Sequence, residues 1–232
     1  MANACASLGA DVLCLQEVDR GQARSGLTDQ TAAVAMAMGA TDWRFEPAII
    51  GEPGATWRAA NETDDGASPA YGVGLVSRRP VTRWRVVRLA PAPIRSVVYV
   101  PTHRRVILLP DEPRIAIAAE IETPGGPIVV TSAHLSFVPG WNVWQLRRLT
   151  RQLAELGHPC VLLGDLNLPG PVVRLGAKGW RRLALAKTFP AQSPKLQIDH
   201  VLGFGDVPAF KRAYAEWLPI SDHRALVVDI GE

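Results

Sequence analysis

The stretch Val161-Leu162-Leu163-Gly164-Asp165-Leu166-Asn167 has the pattern of a short buried strand that ends in a polar turn. Branched apolar residues form the strand, and side chains that offer oxygen atoms follow the glycine. A residue directly after an apolar strand lies at the edge of a sheet, where side chains from several strands can meet. We therefore expect Asp165 and Asn167 to belong to a site at such an edge, although an Asp-x-Asn turn taken alone is more often a local Asx turn.

Other polar residues adjoin apolar strands in the same way. Glu17 follows the apolar run Val12 to Leu15, His134 follows Ile128 to Ala133, and Asp222-His223 precede a strand near the end of the chain. Carboxylates from separate strands suit a hard cation such as Mg²⁺, which prefers oxygen ligands to imidazole or thiolate. Histidines beside such carboxylates can move protons near neutral pH.

Apolar spacing and turn residues predict two clear helices, two β-hairpins and a long surface loop. The helices run from Thr28 or Asp29 to Met38 and from Asn142 to Leu156. The hairpins join Tyr71–Ser77 to Val81–Leu89 and Ile115–Glu122 to Ile128–Ala133, and the loop spans Ile50–Pro69. Strands interspersed with helices favour a single α/β domain over residues 1–232, with helices covering sheets.

The composition fits a folded globular protein, because 47% of the residues are hydrophobic and 20% are charged. No run approaches the roughly 18 to 20 apolar residues of a membrane span. The start lacks the pattern of a secretory signal, so a cytoplasmic location is expected unless the gene product begins further upstream. Cys5, Cys14 and Cys160 have neither disulfide-framework nor metal-ligand spacing and are expected to be free thiols. The net charge of +3 is scattered and identifies no partner.

Six short motifs resemble, in the same order, those of the endonuclease/exonuclease/phosphatase superfamily. They are Ala10–Val18 with its Gln-Glu end, Ala70–Arg78 with its tyrosine, Thr131–Leu135 with its histidine, Leu163–Asn167, Ile198–Val201 and Ser221–Arg224. In the fourth motif Leu166 replaces the aromatic residue of the family's Gly-Asp-Phe-Asn pattern. Together the matches extend from Asp11 to Ile230, which covers nearly the whole chain.

The resemblance implies a four-layer α/β/β/α sandwich of two packed mixed β-sheets flanked by helices. It also implies a divalent-metal-dependent phosphoesterase that uses Mg²⁺ or Mn²⁺, because a cation and hydrogen-bond donors neutralise the charge that builds on an attacked phosphate. By analogy the residues divide into groups that bind metal, activate water, hold phosphate oxygens and transfer a proton. Glu17 and Asp222 would bind the metal, and Asp165 would activate the water. Asn167, His134 and Tyr71 would hold phosphate oxygens. His223, steadied by Asp199, would transfer the proton.

Two departures from the family pattern affect these expectations. Family members begin with a strand that carries Thr-Trp-Asn, whereas Met1 falls within the helix that follows it. The chain is therefore expected to be truncated, with reduced activity, reduced solubility or a partner chain filling the gap. Secreted deoxyribonucleases have a glutamate at the position of Val73, so His134 must be oriented by another residue.

A degenerate, non-catalytic binding module is therefore the alternative function. The substrate, whether nucleic acid, inositol phosphate or lipid headgroup, stays open, as do endo- or exo-action, the number of metals and the oligomeric state.

Overall fold

The structure is a computed structural model that describes residues 1–64, 66–100 and 105–231. Its helices are α1 (Ala2–Ala6), α2 (Gln30–Met38), α3 (Trp141–Ala154) and α4 (Val173–Gly176), with a 3-10 turn at Ala23–Ser25. Its strands are β1 (Val12–Arg20), β2 (Asp42–Gly51), β3 (Trp57–Ala59), β4 (Ala70–Ser77), β5 (Val81–Leu89), β6 (Arg95–Val100), β7 (Arg105–Pro110), β8 (Arg114–Ile121), β9 (Ile128–His134), β10 (Cys160–Asp165), β11 (Arg181–Arg182), β12 (Asp199–Phe204), β13 (Phe210–Glu216) and β14 (Ala225–Ile230).

Two sheets pack face to face. The first has four strands in the order β1-β4-β2-β3, and the second has six in the order β11-β12-β10-β9-β8-β5. Val73 and Leu75 of β4 pack between the sheets against Ile115, Ile117 and Val130 of the second sheet. Every residue of β4 is buried, because that strand is central in its sheet and is covered on both faces. This explains why it reads as a continuous apolar run rather than an alternating one.

Helices cover the outer face of each sheet. On the first sheet, Val34 and Met38 of α2 pack in one apolar cluster with Leu13 and Phe45. Asp29 caps α2 by accepting a hydrogen bond from the backbone N–H of Ala32, as its position before the helix predicts. On the second sheet, α3 buries the apolar stripe that its spacing predicts, which consists of Leu146, Leu149 and Leu153. The order of layers is therefore α/β/β/α, as expected.

One predicted hairpin is wrong. Tyr71–Ser77 and Val81–Leu89 form β4 and β5, but β4 pairs with β1 and β2 whereas β5 pairs with β8 in the other sheet. The turn at Arg78-Arg79-Pro80 thus carries the chain from one sheet to the other. Local pattern identifies a strand but not its partner, which the burial of both sheet faces decides. The second predicted hairpin is confirmed, because β8 and β9 are antiparallel neighbours.

Some elements lie where the sequence predicts none. The loop Ile50–Pro69 contains β3, which pairs with the end of β2. Two separate ribbons extend from the sandwich, β6 with β7 and β13 with β14, and of their four strands the sequence predicts β14. The second ribbon packs Leu226 and Val228 beside Val201 of β12. Among the helices of the described residues, none is both long enough and apolar enough to cross a membrane, and the three cysteines are free thiols as predicted.

Candidate active site

The register of three neighbouring strands brings distant parts of the chain together. Asp165 at the end of β10 lies opposite His134 of β9 in the parallel pairing. The same residue lies opposite Asp199 of β12 in the antiparallel pairing. Residues in register point to the same face of a sheet. His134, Asp165 and Asp199 therefore form a row across one end of the six-stranded sheet, which we call the strand-end row.

The turn after β10 fixes the central carboxylate of this row. The backbone N–H of Asn167 donates to Asp165 Oδ1 at 2.8 Å, and Asn167 adopts a left-handed φ of 51°. Its side-chain amide donates to the carbonyl of Leu135 at 3.0 Å and lies 3.5 Å from His134 Nε2. Burial and the neighbouring charge of Asp199 raise the pKa of Asp165 to about 7. This carboxyl group can therefore take up and release a proton near neutral pH.

A histidine from the last motif meets the outer carboxylate of the row. His223 Nδ1 lies 2.9 Å from Asp199 Oδ2, and Asp199 also accepts a hydrogen bond from the hydroxyl of Thr188. Burial alone would lower the pKa of His223, but the hydrogen bond to Asp199 and the charges of nearby carboxylates outweigh it and raise the pKa to about 9. His223 is consequently protonated at neutral pH.

The four-stranded sheet contributes Glu17 through a β-bulge. Leu15 lies opposite Gly74 and Val18 opposite Gly72, so β1 has one extra residue between these pairs. Glu17 takes up the irregularity with a φ of 56°, and its side chain is 64% exposed. Its Oε1 atom lies 3.8 Å from Nε2 of His134 across the gap between the sheets. The bulge therefore turns one carboxylate of this sheet toward the strand-end row.

Side chains from both sheets surround one pocket of about 420 Å³. Of the residues predicted from sequence, six line it: Glu17, Tyr71, His134, Asp165, Asn167 and His223. Burial and the Glu17 carboxylate raise the pKa of Tyr71, so its hydroxyl stays protonated. Burial and the positive charge of Arg114 lower the pKa of His134 well below its ordinary value, so its imidazole stays neutral. The pocket thus combines a titratable carboxyl group, a protonated histidine and neutral donors.

The remaining predicted residues lie differently. Asp199 lies behind His223. It is not among the described residues that line the pocket. Asp222 is exposed on the loop before β14, where its backbone carbonyl accepts a hydrogen bond from Ala191 at 2.6 Å. Asp222 is likewise not among the described residues that line the pocket, and its role in metal binding stays a prediction. His200 is buried, with its Nε2 atom 2.8 Å from the carbonyl oxygen of Leu168, and is not among the described residues that line the pocket.

The sequence motifs missed two charged residues of the pocket, Glu112 and Arg114. Arg114 begins β8, and the next residue, Ile115, pairs with His134 of β9. The start of one strand of a hairpin lies beside the end of the other. The predicted hairpin Ile115–Glu122 with Ile128–Ala133 therefore contained the signal that residues just before Ile115 adjoin His134, although no motif marked them.

The donor groups present fit a hard divalent cation. One carboxylate oxygen each of Asp165 and Asp199 lie within 4.8 Å of one another and of a ring nitrogen of His223, and the exposed Glu17 carboxylate faces the same pocket. Carboxylate oxygens are the ligands that Mg²⁺ and Mn²⁺ prefer. The chemistry of the set, rather than any bound ion, is what supports a cation here.

The fold and this pocket define a class of protein, an α/β/β/α sandwich with an acid–base cluster at the shared end of its two sheets. The profile described as the Endonuclease/Exonuclease/phosphatase family matches residues 1–223, and the chain belongs to that family. Members of the superfamily are generally phosphoesterase hydrolases that depend on divalent metals.

Solved structures show the same fold. A mannosyl-6-phosphatase from Bacteroides thetaiotaomicron VPI-5482 is 16% identical, with a TM-score of 0.67 over 100% of this chain and 90% of that one. A family protein from Leptotrichia buccalis C-1013-b is 13% identical, with a TM-score of 0.63 over 100% and 91%. Sphingomyelinase C from Streptomyces griseocarneus is 15% identical, with a TM-score of 0.57 over 99% and 88%. No curated protein matches the sequence.

Proposed function

We propose that this chain is a divalent-metal-dependent phosphoesterase that hydrolyses a phosphate ester by attack of water, within one catalytic domain. The observation that carries the proposal is the convergence of Glu17, His134, Asp165, Asn167 and His223 on one pocket. These residues come from separate parts of the sequence and are brought together by strand register, by one bulge and, for His223, by the contact with Asp199.

The acid and base are assigned from their environments. Asp165, with a pKa of about 7, serves as the base that orients and deprotonates the attacking water. His223, with a pKa of about 9, serves as the acid that protonates the leaving oxygen, and Asp199 fixes its ring through the 2.9 Å contact. Two titratable groups whose pKa values are separated by their surroundings are the usual arrangement for acid–base catalysis at neutral pH.

Neutral donors hold the phosphate oxygens. His134 remains uncharged, the side-chain amide of Asn167 lies 3.5 Å from its ring, and Tyr71 keeps its hydroxyl proton. Preorganised donors stabilise negative charge as it develops on the oxygens, and they do so best where water is excluded. His134 and Asn167 are buried or half-buried, which suits them to this role.

We further propose that Glu17 and Asp222 hold Mg²⁺ or Mn²⁺. A bound divalent ion would neutralise phosphate charge and favour formation of hydroxide from water. The exposed carboxylate of Glu17 at the pocket supports its assignment, whereas that of Asp222 rests on its place beside His223 in the Ser-Asp-His motif.

A substrate panel with Mg²⁺ or Mn²⁺ tests the function. It should contain bis(p-nitrophenyl) phosphate, a sugar phosphate, an inositol phosphate, sphingomyelin, RNA, and single- and double-stranded DNA. Hydrolysis of at least one phosphate ester is expected, with loss of activity in EDTA and in His223→Ala. His158→Ala is the matched control, because His158 is outside the pocket and near Glu120 instead. Activity that persists in both EDTA and His223→Ala would contradict the mechanism.

A further inference from the structure

Arg114 is a buried cation at the pocket whose charge the protein itself only partly compensates. Its side chain is 6% exposed, and its NH2 atom lies 3.6 Å from Oδ1 of Asp111, too far for a strong hydrogen bond. Among the described residues, the buried Nε atom of Arg114 has no hydrogen-bond partner. A buried charge that is incompletely paired carries a large desolvation cost. An anion that enters the pocket would reduce this cost.

The carboxylate nearest to Arg114 has one oxygen atom occupied by other groups, whereas its Oδ1 atom has no hydrogen-bond partner among the described residues. The side chain of Asp111 is fully buried. Its Oδ2 atom accepts hydrogen bonds from the backbone N–H of Ala92 and from the hydroxyl of Ser136, both at 2.7 Å. This carboxylate therefore ties together the two ends of the segment that carries the β6–β7 ribbon. It anchors Arg114 at one side, and NH1 of the guanidinium lies beside His134, which also lines the pocket.

The guanidinium lies against the ring of His134, close to both ring nitrogens. NH1 of Arg114 lies 3.2 Å from Nδ1 and 3.3 Å from Nε2 of His134. A point so close to both ring nitrogens lies above the ring plane, because an in-plane position would collide with the ring carbons. Arg114 thus leaves the in-plane directions of both ring nitrogens unoccupied, and the side-chain amide of Asn167 lies 3.5 Å from Nε2. The contact explains how His134 is oriented where Val73 replaces the glutamate of the secreted deoxyribonucleases.

We infer that Arg114 is a phosphate-binding residue, whose guanidinium holds a non-bridging oxygen of the ester on the floor of the pocket. The inference rests on the proposed function for the identity of the ester, and on the burial of the charge, its incomplete pairing with Asp111 and the pocket position of Arg114 for the binding. Arginine suits this role because its planar fork stays charged and matches phosphate geometry. A purely structural arginine would affect folding but not the affinity for phosphate.

Binding of inorganic phosphate to the metal-free protein in EDTA, measured by isothermal titration calorimetry, tests the inference without turnover. A charge-assisted hydrogen bond contributes about 1.5 to 3 kcal/mol, so Arg114→Gln should bind phosphate about 10- to 100-fold more weakly. Arg148→Gln is the matched control. Arg148 is an exposed arginine on α3, outside the pocket, and its substitution removes the same charge as Arg114→Gln. Phosphate affinity in folded Arg114→Gln equal to that of the wild type, or an equal loss in Arg148→Gln, would overturn the inference.

A measurement on the wild-type protein covers the case in which Arg114→Gln does not fold. The Nε–Hε NMR signal of Arg114, assigned through its backbone resonances, should shift on addition of phosphate while that of Arg148 stays in place. An unmoved Arg114 signal under saturating phosphate would exclude the contact. Failure to hydrolyse any ester while phosphate still binds through Arg114 would refute only the proposed function. Hydrolysis combined with unchanged phosphate binding in Arg114→Gln would refute only this inference.

Discussion

The two sheets contribute to the pocket in contrasting ways. The six-stranded sheet provides the strand-end row of His134, Asp165 and Asp199, which is largely buried and fixed by regular register. The four-stranded sheet provides Glu17, which is 64% exposed and fixed by a bulge with a left-handed backbone. Burial shifts pKa values and suits proton transfer, whereas an exposed carboxylate can bind a cation that exchanges with solvent. We therefore expect substitutions in the strand-end row to lower the rate of the chemical step, and substitutions at the bulge to lower the affinity for metal.

The largest expected effect is at the centre of the row. Asp165→Asn should lower kcat by about 10²- to 10⁴-fold, because the amide keeps the shape of the side chain but cannot accept the proton of water. Steady-state kinetics over a range of Mg²⁺ and Mn²⁺ concentrations should show that added metal does not restore the rate. Asp229→Asn, an exposed carboxylate on β14, is the matched control and should retain wild-type kinetics.

Substitution at the bulge should produce a different kinetic response. Glu17→Gln should weaken metal affinity by at least about 10-fold, since even the loss of groups that only support metal ligands costs about 10- to 100-fold. Much of the rate should return at high Mn²⁺, and the Glu216→Gln control on β13 should need no extra metal. The comparison between the sheets would fail if metal rescued Asp165→Asn and left Glu17→Gln inactive.

The contrast between the sheets also separates what the sequence predicted from what it did not. Asp165 and His134 were identifiable because each ends an apolar strand, and neighbouring strand ends share an edge. The pairing of β4 was not, because a strand buried on both faces carries no mark of which sheet or partner it joins. Arg114 was missed for a related reason, since its importance comes from the alignment of β8 with β9 rather than from any local pattern.

Three of the four ribbon strands, β6, β7 and β13, were missed because of their composition. β13 is interrupted by exposed and charged residues, so its burial pattern lacks the alternation that predicts a half-buried strand. Its partner β14 was predicted because Ala225 to Ile230 is almost wholly apolar. The β6–β7 ribbon follows a proline-containing stretch at 91–93, where turn residues obscure the start of a strand. In each case the strand depends on a pairing partner that the local sequence does not specify.

The pH dependence of stability should distinguish the row from the rest of the molecule. In the metal-free protein, the raised pKa of His223 gives stabilisation that is fully present below about pH 6.5 and is lost as pH rises through about 9. The wild type should therefore lose on the order of 2 kcal/mol relative to His223→Gln between pH 6.5 and 9.5, measured by urea unfolding in EDTA. His158→Gln should follow the wild-type curve. Parallel curves for the wild type and His223→Gln would contradict the assigned pairing with Asp199.

The smallest expected effect concerns the backbone of the bulge. The φ of 56° at Glu17 lies in a region that costs a non-glycine residue about 1 to 2 kcal/mol, whereas glycine adopts it freely. Glycine also loses more conformational entropy on folding, by about 0.5 to 1 kcal/mol. Glu17→Gly should therefore stabilise the metal-free protein by about 0.5 to 1 kcal/mol.

A matched glycine substitution at a regular strand position should change the stability in the opposite direction to Glu17→Gly. Glu216→Gly in β13 has no left-handed φ to relieve and should destabilise by about 0.5 to 1 kcal/mol. Urea unfolding of both variants in EDTA measures the difference, and the kinetics of Glu17→Gly should show the same metal defect as Glu17→Gln. Glu17→Gly should gain stability and lose metal affinity at the same time. Both effects are expected only if the strained backbone of the bulge serves to position the Glu17 carboxylate. Equal destabilisation by the two glycines would show that the bulge is an ordinary irregularity of the sheet.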